Sequence, residues 1–304
     1  MSIVDEADVG LGAAGGGEPA GYVRGNLKFL ANELRLVFFR RRNQLLLVVV
    51  ALFPLLIGIG LKLAAPGSHG GEGGGNGPAS GGAAFFNQLA GNGVFLTFIA
   101  LSLLLILVLP VVIAVVSGDS VAGEAGYGTL RYLLAVPAGR TRLLAVKYLA
   151  IMTWAVVATL IVSVVALIVG VILFPVGPVT LLSGTTVSLG AGLVRVLFVT
   201  LYVCAAMAAL GAIGLAVSTF TEHAIGAIAG VMILVVASEV VDQIPQFAVV
   251  APYLPTHWWN SFDSLLRTPV DTTTAWHGLA SFLVYAVIFC AIAWARFTSA
   301  DVTS

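Results

Sequence analysis

The stretch "GVFLTFIALSLLLILVLPVVIAVVS", residues 93–117, contains no charged side chain. A hydrocarbon layer about 30 Å thick is crossed by about 20 helical residues, and only a helix satisfies all of its own backbone hydrogen bonds in lipid. The stretch is therefore predicted to be a membrane span. Pro110 within it, like Pro54 in the preceding apolar run, is expected to kink the helix rather than end it, because lipid offers the backbone no better partners.

The rest of the chain has the same character. Of its 304 residues, 59% are hydrophobic and 9% are charged, and the mean hydropathy is +1.06. Such a composition excludes a water-soluble domain. The 14 basic and 14 acidic residues cancel, so no nucleic-acid partner is indicated. We predict an all-α polytopic membrane protein with six transmembrane helices, near residues 44–63, 93–117, 147–173, 192–217, 224–241 and 276–295.

The distribution of Lys and Arg predicts the orientation. One assignment places 11 of the 14 basic residues on a single side: before the first span, between spans two and three, and after the last span. Positively charged flanks stay in the cytoplasm. We therefore predict a multi-pass protein of the cell (cytoplasmic) membrane with both termini in the cytoplasm.

The parts outside the spans are small. Residues 1–20 are predicted to be a disordered cytoplasmic tail, and residues 297–304 a second cytoplasmic tail. Residues 21–43 place apolar side chains on one helical face and predict an interfacial amphipathic helix; the alternative is a polar lead-in whose arginines only fix topology. The six spans then form one domain, residues 44–296. The Gly-rich stretch 66–82 is too poor in side chains to fold and predicts a flexible tether.

The segment before the last span has a different composition. Residues 244–275 include "FAVVAPYLPTHWWNSF", which is apolar and aromatic but is interrupted by Pro245, Pro252 and Pro255. Such a segment is unsuited both to crossing the bilayer and to staying in water. Short re-entrant or interfacial helices are predicted.

Motifs for chemistry are missing from the sequence. It contains no H-E-x-x-H, G-x-S-x-G, C-x-x-C or P-loop sequence, so we predict that the chain is not an enzyme, binds no cofactor or metal, and hydrolyses no ATP itself. Cys204 and Cys290 lie in apolar runs and are interpreted as packing residues.

Ionisable residues inside the spans are few, which weakens an ion-coupled carrier mechanism. Glu239 and Asp242 share one helix face; they either line an aqueous vestibule or bind a cation, or they mark the watery end of the fifth span. Arg195 either reaches the outer interface or pairs with one of these carboxylates.

Residues 123–147, "GEAGYGTLRYLLAVPAGRTRLLAVK", form a polar island between spans two and three. Leu130, Leu133 and Leu134 fall on one side of a short helix that Pro137 ends. We predict a short amphipathic helix on the cytoplasmic side. Glu124 lies in its first turn, where a carboxylate favours the positive helix end.

In order and spacing, this island resembles the corresponding loop of type-2 permeases of ATP-binding-cassette (ABC) exporters. That loop has an acidic residue, Gly-Thr-Leu, a leucine pair, Pro, Arg and a later Lys. The resemblance extends from about residue 22 to residue 297, but the second inner loop, "TFTEHA", lacks basic residues. The matching positions, together with Arg131, are Glu124, Gly128, Thr129, Leu130, Leu133, Leu134, Pro137, Arg140 and Lys147.

The resemblance implies a function as well as a fold. It implies that residues 44–296 are a permease domain and that the island is a coupling helix seated in a separate ABC ATPase subunit, which would bind ATP and Mg. It also implies a second permease copy, as a homodimer in membrane lipid, and export of a lipophilic or amphipathic substrate. The alternatives are an ATP-independent secondary transporter or lipid-handling membrane protein, and a membrane scaffold without transport.

Overall fold

A computed structural model describes residues 19–64, 92–126, 140–180 and 184–299. Four sequence predictions fall wholly or mainly outside these ranges: the disordered tail, the Gly-rich tether, the middle of the polar island and most of the C-terminal tail. In the described ranges, the backbone forms nine α-helices: α1 (Pro19–Phe39), α2 (Arg41–Ala64), α3 (Phe95–Ile106), α4 (Val108–Asp119), α5 (Ala122–Gly126), α6 (Arg140–Leu173), α7 (Leu189–Phe220), α8 (Ala224–Asp242) and α9 (Thr272–Ser299).

The helices confirm an all-α polytopic membrane protein. By length and composition, α2, α6, α7, α8 and α9 are each able to cross a membrane, and α3 with α4 forms a sixth candidate span that is bent. Each of the six apolar segments selected from the sequence falls on these helices. The first helix differs in extent from the predicted interfacial helix, because α1 ends at Phe39 and α2 begins at Arg41 after a bend at Arg40.

The second span is broken at Leu107 rather than kinked. Leu107 has φ −141° and ψ −48°, and α3 and α4 meet there at 52°. Pro110 explains the position of the break. It has no N–H to donate to the carbonyl of Ile106, and its ring crowds that carbonyl. Pro54, by contrast, lies inside the continuous helix α2.

The centre of the bundle is α7, which packs against α4, α6 and α9. Small residues make close packing possible in a membrane, where apolar side chains gain little from leaving lipid. Gly93 and Gly170 bring the start of α3 against α6 so closely that a Cβ on Gly170 would lie 2.0 Å from the Gly93 carbonyl oxygen. Ser163 and Thr200 join α6 to α7 through hydroxyls 2.7 Å apart.

Short elements lie between the long helices. Strands β1 (Val179–Thr180) and β2 (Thr186–Val187) pair antiparallel, with Val179 opposite Val187. The aromatic segment before α9 forms three 3₁₀ helices, Pro245–Phe247, Ala251–Tyr253 and Trp259–Leu266. The Tyr202 hydroxyl on α7 donates to the Trp258 carbonyl at 2.7 Å, which fixes this segment against the bundle.

Candidate functional site

An ion-pair cluster lies where α1, α5 and α6 meet, and Lys147 is its centre. Lys147 is the eighth residue of α6, and only 2% of its side chain is exposed. Its Nζ lies 3.1 Å from Glu33 Oε1 on α1 and 2.6 Å from Glu124 Oε1 on α5. A buried ammonium is costly unless it is paired and hydrogen-bonded. Removing both carboxylates would therefore leave an uncompensated charge.

The electrostatics of Glu124 result from two opposed effects. Burial raises the pKa of this carboxyl above its ordinary value, because burial disfavours the charged form. The Lys147 ammonium lowers the pKa and offsets part of this rise. Glu124 is therefore held in place by an ion pair but takes up a proton more readily than an exposed glutamate does.

A second cluster joins the end of α4 to the bend between α1 and α2. Asp119 is largely buried, and its Oδ2 accepts hydrogen bonds from Arg40 and, at 2.9 Å, from Arg42 Nη2. Between the two clusters is a cavity of about 30 Å³, lined in part by Glu33, Asn43 and Lys147. Its polar lining and volume suit a single water molecule. Together the two clusters connect α1, α4, α5 and α6.

The structure brings together two of the residues that the resemblance assigned to coupling. Glu124 and Lys147 are 23 positions apart in sequence, and their ion pair closes the base of the segment between them. Arg140 is the first residue of α6. The other predicted coupling residues lie outside the described residues: Gly128, Thr129, Leu130, Arg131, Leu133, Leu134 and Pro137.

Sequence reasoning missed two members of these clusters. Glu33 is 114 positions from Lys147, and nothing in its local sequence indicates its partner. Asp119 ends α4, and its arginine partners lie 77 and 79 positions earlier in the sequence. One signal was available for Asp119, because an acidic residue at the end of a strongly apolar span asks for a cation.

A third group of polar residues lies at the other end of the bundle. His257 Nδ1 is 2.5 Å from Asp242 Oδ1. Arg195 Nη1 donates to the carbonyls of Leu265 and Arg267, each at 3.0 Å. The option that Arg195 pairs with Glu239 or Asp242 is therefore wrong, because these two carbonyls and, at 3.3 Å, the Thr268 hydroxyl take its hydrogen bonds.

A metal site is not found among the described side chains, since no three His, Cys, Asp or Glu residues are grouped there in a way that would hold an ion. Within the same ranges, Cys204 and Cys290 are both free thiols.

Comparison with known proteins gives one family match. The model of the family described as "ABC-2 family transporter protein" matches residues 37–302, which is most of the chain. No curated protein matches the sequence. The matched range includes α2 to α9, the 123–147 island and both arginines that bind Asp119.

Proposed function

Because the chain belongs to the ABC-2 transporter family and is its multi-pass permease component, we propose that it is the membrane subunit of an ATP-driven exporter. The family generally works with an ABC ATPase as a partner. In this proposal a separate ATPase binds ATP and Mg, a second copy of this chain completes the permease, and the assembly moves a lipophilic or amphipathic substrate out across the cytoplasmic membrane.

The observation that supports this proposal best is the Glu124–Lys147 ion pair at the base of residues 125–146. The pair joins α5 to α6, so a force that reaches either end of this segment acts on both helices. Lys147 also binds Glu33 on α1. A partner protein that grasps the segment therefore acts on three helices together, as an ATPase driving a permease must.

The energetics set a requirement for such a partner. To change a two-state population from 1:99 to 99:1, ATP binding must favour one state by about 5.5 kcal/mol. The contact between the two proteins has to transmit this coupling free energy from the ATPase to the permease. We propose Glu124, Arg131 and Arg140 as polar contacts and Leu130 and Leu133 as the apolar anchor of that contact.

The test uses the full chain purified with a candidate ABC ATPase subunit. Arg131→Glu is expected to reduce both co-purification and coupled ATP hydrolysis at least about tenfold, because charge reversal replaces attraction by repulsion. Glu124→Lys is expected to have the same effect, because it places a second ammonium beside Lys147 at the base of the segment. The matched control is Arg267→Glu, an exposed arginine in the segment before α9. We expect it to leave assembly unchanged. Full assembly and hydrolysis in both island variants would reject the proposal.

Accessibility labelling tests the orientation separately. In a background with Cys204 and Cys290 replaced by Ala, a cysteine at Arg140 is expected to react only from the cytoplasmic side, and one at Arg267 only from outside. The reverse pattern would reject the orientation. Transport driven by an ion gradient and unaffected by vanadate would favour the secondary-transporter alternative, and a complex without any transport would favour the scaffold.

A further inference from the structure

Glu239 lies beside the break in the second span. Together with Ile106, Leu107 and Val240, it lines an opening of about 370 Å³ between α8 and the α3–α4 break. This volume is within the range of small-molecule sites. Apart from Glu239 and Gln243, the lining is aliphatic. The opening therefore combines an apolar wall with one ionisable group.

The packing of α4 on α8 gives the position of Glu239 along the bundle. A Cβ on Gly118 would lie 2.9 Å from Ile228 Cγ1, so these two residues are at the same height along the two antiparallel helices. Leu107 precedes Gly118 by 11 residues and Glu239 follows Ile228 by 11. At 1.5 Å per residue, Glu239 is about 16 Å from that level.

Gly118 adjoins Asp119, whose arginine partners mark the polar end of α4. Glu239 is three residues before the end of α8 and level with Leu107 at the break in the second span. An acidic residue within an apolar span asks for a partner or a ligand, so Glu239 marks a functional position.

The opening attracts positive charge from several sides. Ile106 is the last residue of α3, and its carbonyl loses its intrahelical donor because Pro110 has no N–H. Glu239 is in the last turn of α8, so two helix C-termini, each with negative partial charge, border the opening. Within the described ranges, no Lys, Arg or His nitrogen lies within 4.0 Å of Glu239, although the Thr256 hydroxyl approaches it. The neighbouring Asp242 is occupied by His257.

From this geometry we infer that the opening at Leu107 binds a lipophilic cation, with the positive group at the Glu239 carboxylate and the Ile106 carbonyl and the apolar body against Val236, Val240 and Leu107. A bare metal ion would leave most of the volume unfilled, and an anion would meet the carboxylate and two negative helix ends. This inference deepens the proposed transport function, because it names the chemical class of its substrate.

The test measures binding to the isolated full-length chain, with no ATPase present. Two probes of the same shape and opposite charge are compared by equilibrium dialysis in detergent: tetraphenylphosphonium and tetraphenylborate. We expect the wild type to bind the phosphonium more tightly. Glu239→Gln is expected to weaken phosphonium binding at least about tenfold, because a charge-assisted contact is lost, and to leave borate binding equal or tighter.

Two further variants keep the test decisive. Glu239→Asp retains the charge and is expected to retain the preference for the cation. Glu222→Gln removes an exposed carboxylate just before α8, at the opposite end of that helix, and is expected to bind like the wild type. Equal binding of both probes by the wild type, or undiminished phosphonium binding by Glu239→Gln, would overturn the inference.

The outcome is separable from that of the coupling test. If the phosphonium binds in a Glu239-dependent way but no ATPase assembles with the chain, the cation site stands and the ATP-driven proposal falls. If the ATPase assembles and is coupled while Glu239→Gln binds the phosphonium normally, the ATP-driven proposal stands and the cation site falls.

Discussion

The Nη2 atom of Arg42 lies 2.9 Å from Oδ2 of Asp119, which joins the start of α2 to the end of α4. The carboxylate is largely buried, whereas about half of each arginine partner is exposed. Loss of these ion pairs would therefore destabilise the buried Asp119 carboxylate more than the half-exposed arginines. Both clusters lie at the same end of the bundle, where the polar island leaves it and returns.

Asp119→Asn is expected to lower the stability of the detergent-solubilised chain. The variant keeps a hydrogen-bond acceptor but loses the charge, so we expect a loss of about 1 to 2 kcal/mol, or a fall in Tm of roughly 2 to 5 °C. Thermal unfolding measures it. Asp263→Asn is the matched control, because Asp263 and Arg267 are exposed and 3.6 Å apart and such pairs contribute little. Equal Tm changes in the two variants would contradict the prediction.

Glu124→Gln is expected to change how stability depends on pH. The folded state raises the pKa of Glu124, so this residue stabilises the fold most when it is protonated, and that contribution is lost as pH rises through the folded-state pKa. Glutamine does not titrate. The Tm of the wild type relative to the variant should therefore rise as pH falls from about 7 to about 4. A difference that is constant with pH, or that moves the other way, would show that burial does not dominate at this carboxyl.

Gly170→Ala is expected to disrupt the bundle. The added Cβ would meet the Gly93 carbonyl oxygen at 2.0 Å, and a backbone atom is unable to yield as a flexible side chain does. We expect a loss of at least about 2 kcal/mol in stability or a failure to fold. Gly60→Ala is the control, because nothing lies within 4 Å of its Cβ position in α2. Thermal unfolding and yield should separate the two variants, and similar behaviour would contradict the close contact.

The spans could be predicted from the sequence because hydropathy is a property of one helix at a time. The apolar runs that contain Pro54 and Trp154 needed no knowledge of their neighbours to be identified as helices in lipid. The break at Leu107 was harder to predict. Pro54 and Pro110 both lie in apolar runs, but only Pro110 is accompanied by a break in its span. Which proline is accompanied by a break depends on how the neighbouring helices pack, and a hydropathy pattern does not contain that information.

The polar contacts were less predictable for the same reason. The sequence identified Glu124 and Lys147 through a family pattern, and the structure pairs them. Glu33 was not identified, because its contact with Lys147 exists only once α1 folds back against α6. Arg195 was correctly expected near the end of its span, but its partners are backbone carbonyls, which carry no signal in the sequence.

The 52° angle at Leu107 divides the second span into two half-length rods with a joint between them. The rod that carries Phe95 is wedged against α6 through Gly93 and Gly170, whereas the rod that carries Asp119 is attached to the arginines near α1. We therefore expect the second rod to tilt about this joint without dragging the first. Such a tilt would widen or narrow the gap beside Glu239, so the joint would convert motion at the Asp119 end of the bundle into a change of aperture at the break.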